Sequence, residues 1–375
     1  MLLTNARLVL TGRIMPGTLH VQDGRISGID SGMSHLAGAI DCEGDLLLPG
    51  AVDLHTDNLE RQVNPRTNAR WPSRSAMVAH DSQCAAAGVT TVLDSLCVGD
   101  LGFDEDRTRT CVEGIADLDA LAPTGLLKAD HYLHLRCEVP APAMPGLLDR
   151  LADHPRVRMV SLMDHTPGIG QYGDLDRYRA LRRIDGESET SIEQRIAFLQ
   201  DRRDRLRLSQ RRGLIARLSG TKAVLASHDD RTEEEVAENV RDGIFISEFP
   251  VTEAAAAAGR AGGMQIIAGA PNLVRGGSHT GNIAASDLLC AGLVDALASD
   301  YVPCSLVEAA FAVAAAGLLP LPQAAALITV NPAQMARFED RGSLAPGQRA
   351  DLLRIRVHDG QPIIRRVWRE GERVI

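Results

Sequence analysis

The chain has 375 residues, of which 45% are hydrophobic and 24% charged, with a formal net charge of −9. This length accommodates an α/β barrel of about 250 residues together with an accessory domain. The negative balance argues against nucleic acid or an anionic membrane as partner, since both are polyanions.

Residues 1–48 read as β structure: Leu2–Leu10, then Thr18–Ile29 with a turn at Asp23-Gly24, then Leu46–Leu48. Asn5 and Arg7 interrupt the first run, so it reads as a strand rather than a signal peptide. Strand-like runs then alternate with helical patterns. They are Val52–His55, Thr90–Leu93, Tyr132–Cys137, Met159–Met163, Ala223–Ser227, Ile244–Phe249, Gln265–Ala268 and Val294–Ser299. Such β/α units predict a closed parallel barrel whose chemistry sits at the C-terminal strand ends. Residues 166–214 are too long for an ordinary βα loop and read as a charged helical excursion. Its Arg177, Arg179, Arg182, Arg202 and Arg205 suit a solvated helix face, with a substrate lid as the alternative. The apolar run Phe311–Val330 carries Pro320, Pro322 and Gln323, and so reads as a buried helix pair rather than a membrane span. Ala350–Val357 and Pro362–Trp368, around the turn Asp359-Gly360, return to β character. The expected architecture is a distorted TIM-like (β/α)8 barrel over 49–339, with a helical insertion at about 166–214. Residues 1–48 and 340–375 would together make a small β-sandwich.

Lys128 and Lys222 are the only lysines, which leaves few candidates for a Lys nucleophile or a carbamylated metal bridge. The cysteines Cys42, Cys84, Cys97, Cys111, Cys137, Cys290 and Cys304 are scattered with no Cys-x-x-Cys pair. That usage fits reduced thiols in the cytoplasm rather than a disulfide framework or a zinc ribbon.

The most informative stretch is 49–60, where Pro49-Gly50 leads into a short strand ending in His55-Thr56-Asp57. Alternation along a strand would put Asp53, His55 and Asp57 on one face. An imidazole and a carboxylate two residues apart can grip one divalent cation. Other strand ends close on Glu138, on Asp164-His165, on His228-Asp229-Asp230 and on Asp300. Only 11 residues are His, and His55, His165 and His228 all fall at barrel mouths. That convergence points to a metal centre rather than to isolated core histidines. Arg136 and His134 share the inward face with Glu138 and are expected to orient ligands, while Cys137 faces outward and is inert. Sequence does not separate Asp229 from Asp230 as partners of the ligands.

The motifs Val52–Glu60, Pro65-Arg66, Arg70-Trp71-Pro72, Leu135–Glu138, Ser161–His165 and Ala226–Asp230 resemble one branch of the amidohydrolase superfamily. So do Glu248-Phe249-Pro250, Ala270-Pro271-Asn272, Arg275–His279 and Ser299-Asp300-Tyr301. The branch comprises diphosphatases that act on a ribose 5-triphosphate bearing a 1-methylphosphonate, in the carbon–phosphorus lyase pathway of phosphonate breakdown. The resemblance spans about residues 45 to 335. Many superfamily members carry His-x-His on the first strand and a carbamylated Lys bridge. This chain has His55-x-Asp57, and Glu138 takes the bridging place. The resemblance implies a site for two divalent ions, Zn²⁺ or Mn²⁺, held by His55, Asp57, Glu138, His165, His228 and Asp300. Asp300 would also move the proton of the attacking water. Two dications against three carboxylates and a bridging hydroxide sum to zero, so a triphosphate would need arginines. Candidates are Arg61, Arg66 and Arg70, and Arg275 with Gly276, Gly277, Ser278 and His279, where glycine lets backbone N–H groups approach phosphate. The expected product pair is pyrophosphate and the 5-phosphate, from a soluble homodimer that binds only small molecules. The alternatives are an amidohydrolase acting on an amide, deacetylase or dihydroorotase-like, and a metal-free scaffold.

Overall fold

The computed structural model describes residues 1–66, 69–101, 105–278 and 281–375. The first five strands are β1 (Leu2–Leu10), β2 (Arg13–Gln22), β3 (Arg25–Ser31), β4 (Ile40–Asp41) and β5 (Leu46–Pro49). The barrel follows with β6 (Ala51–Thr56), β7 (Val89–Val98), β8 (Asp130–Glu138), β9 (Val157–Met163) and β10 (Val224–His228). It continues through β11 (Ile246–Glu248), β12 (Gln265–Gly269) and β13 (Ala296–Ala298). The chain ends in β14 (Leu352–His358), β15 (Gln361–Arg369) and β16 (Glu372–Arg373).

β6 to β13 lie side by side in sequential order, and every adjacent pair is parallel. Such strands are covered on both faces, which is why they read as near-continuous apolar runs. All of β7, Val89–Val98, is buried. The ring closes where the N–H of Asp300 donates to the carbonyl of His55 at 2.9 Å and that of Asp57 to the carbonyl of Asp300 at 3.1 Å. The barrel interior holds Val52, Leu54, Leu93, Met159, Ala226, Ile246, Ile267 and Ala298. Outside it, Leu133, Leu135 and Cys137 pack with the surrounding helices.

The terminal strands form one mixed sheet in the order β16-β15-β14-β5-β1-β2-β3, with β4 beside β1. The Asp-Gly pairs 23–24 and 359–360 both have positive φ, as tight hairpin turns require. The sheet curls, so that Ile26 on β3 hydrogen-bonds through its backbone to Gln348 and Gly347, just before β14. Leu3, Leu8, Leu19, Leu47, Leu352 and Trp368 fill the resulting core. This sheet is tied to the barrel at Asp130, the first residue of β8. Its carboxylate meets Arg341 at 3.0 Å, Arg349, and Arg369 at 3.4 Å.

After β9 the chain makes a helix over Leu175–Ile184, capped by Asp174, and a long one over Glu189–Leu218, capped by Ser188. The first half of the long helix packs Ile192 and Ile196 on Tyr178. Its far end returns to the barrel wall through Leu214 and Leu218. The apolar run near the C-terminus divides between helices Ser305–Ala315 and Leu321–Ala326, with Pro320 at the break. Among the described residues, no helix is long and apolar enough to cross a membrane.

Candidate active site

Simple alternation fails in β6, and the failure shapes the site. Val52 and Leu54 both face the barrel interior, so Asp53 faces outward, where it sits near Asp94. The pairing with β7 slips between Asp53 and Thr56. Such a bulge re-aims the next side chain, and His55 turns into the barrel instead of following Asp53. There its ring lies 5.2 Å from that of His134 and 5.5 Å from that of His228. Asp53 accepts from the N–H of Ser299 at 3.1 Å and fastens the barrel seam, and burial pushes its carboxyl up to about 7.

Below the cavity floor, His55 Nδ1 lies 2.8 Å from Glu248 Oε1. Burial, and then the nearby Arg136, hold His55 far below its ordinary value, so the ring is neutral. With Nδ1–H donated to the carboxylate, Nε2 presents a lone pair that has no hydrogen-bond partner. That is the arrangement of a metal-ligating imidazole oriented by a carboxylate. His134 donates from Nδ1 to the carbonyl of Leu54 at 3.0 Å and accepts at Nε2 from the Ser161 hydroxyl at 2.8 Å. Burial lowers it to about 3.

Glu138, at the end of β8, meets His165 twice, accepting its backbone N–H at 2.9 Å and lying 2.6 Å from its Nδ1. Burial alone would raise the Glu138 carboxyl, but His165 outweighs it and keeps the group low. His165 Nε2 is 3.9 Å from Asp229 Oδ2, and His228 Nδ1 is 3.0 Å from the same oxygen. That close contact is an ion pair, and beyond Asp229 the His228 ring has no other polar partner. His165, His228 and Asp229 thus converge closely enough to share one cation. At the seam, Asp57 Oδ2 lies 3.6 Å from Arg136 Nη1. Burial, then the Asp57 charge, push the Asp300 carboxyl up to about 8.

Asp57, Glu138, His165, His228 and Asp300 all line one cavity of about 400 Å³. His55 lies buried beneath it. Asp229 also lines it, for a reason that the strand period hides. Asp229, Phe249 and Asp300 follow β10, β11 and β13 with φ of 58°, 54° and 54°. A left-handed residue breaks the pleat, so neighbours such as His228 and Asp229 can both face inward. Glu248, quoted above only as part of a motif, proves to be the carboxylate that orients His55.

The arginines that line the cavity are Arg107, Arg136 and Arg182. Arg107 comes from the helix Glu105–Leu121 after β7 and also pairs with Glu60 at 2.9 Å. No strand-end rule points to a helix position, which is why sequence reading passed it over. Arg61 donates to the Tyr301 carbonyl and Arg66 is exposed. Arg70 is drawn to Glu113 at 2.8 Å and lines a separate surface recess. Arg275 is exposed, with Nη1 at 3.4 Å from the Tyr301 hydroxyl. Gly276 and Gly277 turn the chain with positive φ. Ser278 reaches the cavity, and His279 lies outside the described residues.

A second group of ligand-type residues lies away from the cavity, between the helix Ser73–Ala86 and strands β7 and β8. It is a hydrogen-bonded chain. His80 Nε2 is 2.7 Å from Asp94 Oδ1, and His131 Nδ1 is 2.9 Å from Asp94 Oδ2. His131 Nε2 is 3.3 Å from Asp81 Oδ1, and Asn58 donates to His80 Nδ1 at 3.0 Å. Burial would lower His131, but Asp94 and Asp81 outweigh it and push the imidazole up to about 10.

A parallel barrel with imidazoles and carboxylates able to hold divalent cations at its strand ends defines the class of metal-dependent barrel hydrolases. The model of the Amidohydrolase family matches residues 210–375. The chain is 42% identical over 381 residues to the alpha-D-ribose 1-methylphosphonate 5-triphosphate diphosphatase of Escherichia coli (strain K12), with 100% of both covered. It therefore belongs to the amidohydrolase family, in the branch that contains that enzyme. In fold it is similar to the N-acetyl-D-glucosamine-6-phosphate deacetylase of Mycobacterium smegmatis, with a TM-score of 0.66, 17% identity and 100% of each chain covered. It is likewise similar to the 5-methylcytosine deaminase of Klebsiella pneumoniae, with a TM-score of 0.64, 18% identity and 100% and 98% covered.

Proposed function

We propose that the chain hydrolyses α-D-ribose 1-methylphosphonate 5-triphosphate to the 5-phosphate and pyrophosphate, in the breakdown of phosphonates in the cytoplasm. The observation that carries this reading is the pair of guanidinium groups of Arg107, half-buried, and Arg136, buried, on a cavity floored by carboxylates and imidazoles. A triphosphate needs such cations to hold it over a floor of carboxylates, whereas a neutral amide does not. All the cavity residues fall between positions 57 and 301, which supports a barrel unit of 49–339 that carries the chemistry. Residues 1–48 and 340–375 then act as a supporting unit.

The residues fit about two divalent ions. The bare lone pair at His55 Nε2 and the imidazole of His228, beside Glu138, Asp57, Asp229 and Asp300, offer a mixed nitrogen and oxygen set. Such a set suits Zn²⁺ or Mn²⁺. Bound there, divalent ions supply Lewis acidity and lower the pKa of water from about 15.7 toward about 7. The chain's own residues do the rest. Glu248 fixes the His55 tautomer, and Glu138 does the same for His165. Asp300 is placed to accept the proton of the attacking water. Arg107 and Arg136 hold phosphate oxygens by charge-assisted hydrogen bonds and align the chain of phosphates.

The test is the product pair. Phosphorus NMR of the reaction run in H₂¹⁸O should show pyrophosphate without label and the isotope in the sugar-linked phosphate. Label in pyrophosphate would move the attack to the β-phosphorus, and orthophosphate as first product would move cleavage to the γ position.

A further inference from the structure

The cavity has two unlike sides. In an eight-membered ring of strands in sequential order, β7 stands opposite β11 and β8 opposite β12. The β7 and β8 side presents Arg107, Arg136 and Glu138 to the cavity. Across it, the segments after β11 and β12 present Pro250, Val251, Pro271, Ile283 and Leu288. Among the described residues, the polar groups along that second side, Asn272, Ser278 and Asn282, carry no charge, and the third cavity arginine, Arg182, reaches in from the helix Leu175–Ile184 after β9.

The apolar side is also cross-linked by hydrogen bonds. Ile283 donates its N–H to the Val251 carbonyl at 3.2 Å, and Asn272 bonds the Ile283 carbonyl at 3.2 Å and the Ala285 N–H at 3.0 Å. Behind Ile283, Leu288 packs on Ala256 and Leu293, so the surface is backed by its own small core. A preformed apolar surface of this kind binds an alkyl group without reorganising.

The substrate named under the proposed function, on which this inference rests, is similarly two-sided. Its triphosphate is polyanionic, and its other end carries a phosphorus with one methyl group and one ionisable oxygen. With the triphosphate on the arginine side, the group at C1 of the ribose falls against the apolar side. We infer that Pro250, Val251, Pro271, Ile283 and Leu288 form the subsite for the C1 substituent, and that this subsite selects an alkylphosphonate over a phosphate. Replacing the methyl by an oxyanion leaves size almost unchanged but adds a charge against Pro250, Val251, Pro271, Ile283 and Leu288, none of which can pair with it. Lengthening the alkyl group adds only apolar surface.

The test is steady-state kinetics of the metal-loaded enzyme on three ribose 5-triphosphates carrying a 1-methylphosphonate, a 1-ethylphosphonate or a 1-phosphate. Wild type should take the two alkyl substrates with KM values within about threefold of each other, and the phosphate with a KM raised about tenfold or more. Ile283→Asn should raise KM for both alkyl substrates about tenfold with kcat largely kept, and leave the phosphate unchanged. Ile283→Leu should restore the discrimination, and Val251→Thr, a near-isosteric change, should erode it in the same direction as Ile283→Asn. Equal KM values for methylphosphonate and phosphate in wild type would overturn the inference. So would variants that raise KM for all three substrates alike. Pyrophosphate from none of the three would instead overturn the proposed activity itself, which is a separate and distinguishable result.

Discussion

Asp94→Asn tests whether the buried His80–Asp94–His131–Asp81 chain is held together by charge. Asp94 accepts from both imidazoles, at 2.7 and 2.9 Å, and all three residues are buried. Removing one partner of a buried pair costs about 3–5 kcal/mol, because the other charge is left uncompensated. Unfolding entropy of about 2.1 cal/mol/K per residue, over 375 residues, turns that into a Tm lower by roughly 4–6 °C. The pH dependence separates charge from packing. His131 is raised from 6.5 to about 10 in the folded chain. Its contribution is therefore fully present below pH 6.5 and is lost as pH rises toward 10, at about 1.4 kcal/mol per unit. Asp94→Asn removes the larger of the two raising charges and flattens that slope. Between pH 6.5 and 8.5 the gap between wild type and variant should shrink by at most about 3 °C, or ~2.7 kcal/mol in the same conversion, and by less to the extent that Asp81 still holds the His131 proton. Thermal melts at both pH values, with circular dichroism as readout, measure it, and groups elsewhere cancel in the difference. A gap that stays constant across this range would show that packing rather than charge holds the chain.

Further outcomes bear on the site. Asp300→Asn should keep substrate binding while kcat falls roughly 10²–10⁴-fold, the range for a lost general base, with metal content measured on the same sample because Asp300 also belongs to the proposed ligand set. Near-normal turnover would remove the role. Protein purified without chelator should hold close to two divalent ions by elemental analysis, and Glu138→Ala should lower occupancy of both. Loss of a single ion would leave Glu138 a ligand to one metal only. Arg107→Ala should lower kcat/KM for the triphosphate by about 1.5–3 kcal/mol, as for a lost hydrogen bond to a charged group. Arg70→Ala, whose guanidinium is engaged with Glu113, should leave it near wild type; the opposite order would return the phosphate clamp to the 61–70 segment.

Each of the barrel strands was legible as an apolar run because a parallel strand is buried on both faces and leaves a compositional trace. The Asp-Gly hairpins at 23–24 and 359–360 were legible because the turn demands positive φ at both residues. The site was legible only where it obeyed the strand period. Asp53 seemed to share a face with His55, but a register slip after Asp53 turns His55 into the barrel and leaves Asp53 on the outer side. Asp229 was left unresolved beside Asp230, and geometry parts them. Asp230 is spent on the hydroxyls of Ser227 and Ser247, at 2.5 and 2.6 Å, while Asp229 faces the cavity. The arginines were hardest to read, because a long flexible side chain reports little about where its guanidinium ends. Arg70 lies in the loop ahead of the helix Ser73–Ala86 and Arg107 on the helix Glu105–Leu121, yet only the second lines the cavity.

The left-handed backbone at Asp229, Phe249 and Asp300 has an evolutionary side. A side chain held there sits about 1–2 kcal/mol above what glycine would feel. Selection for heat resistance alone would therefore drift toward glycine or asparagine at 229 and 300, and each step would gain stability while removing a carboxylate from the cavity. The barrel's strand ends are in this sense a standing compromise, kept less stable than the fold allows for as long as turnover is under selection.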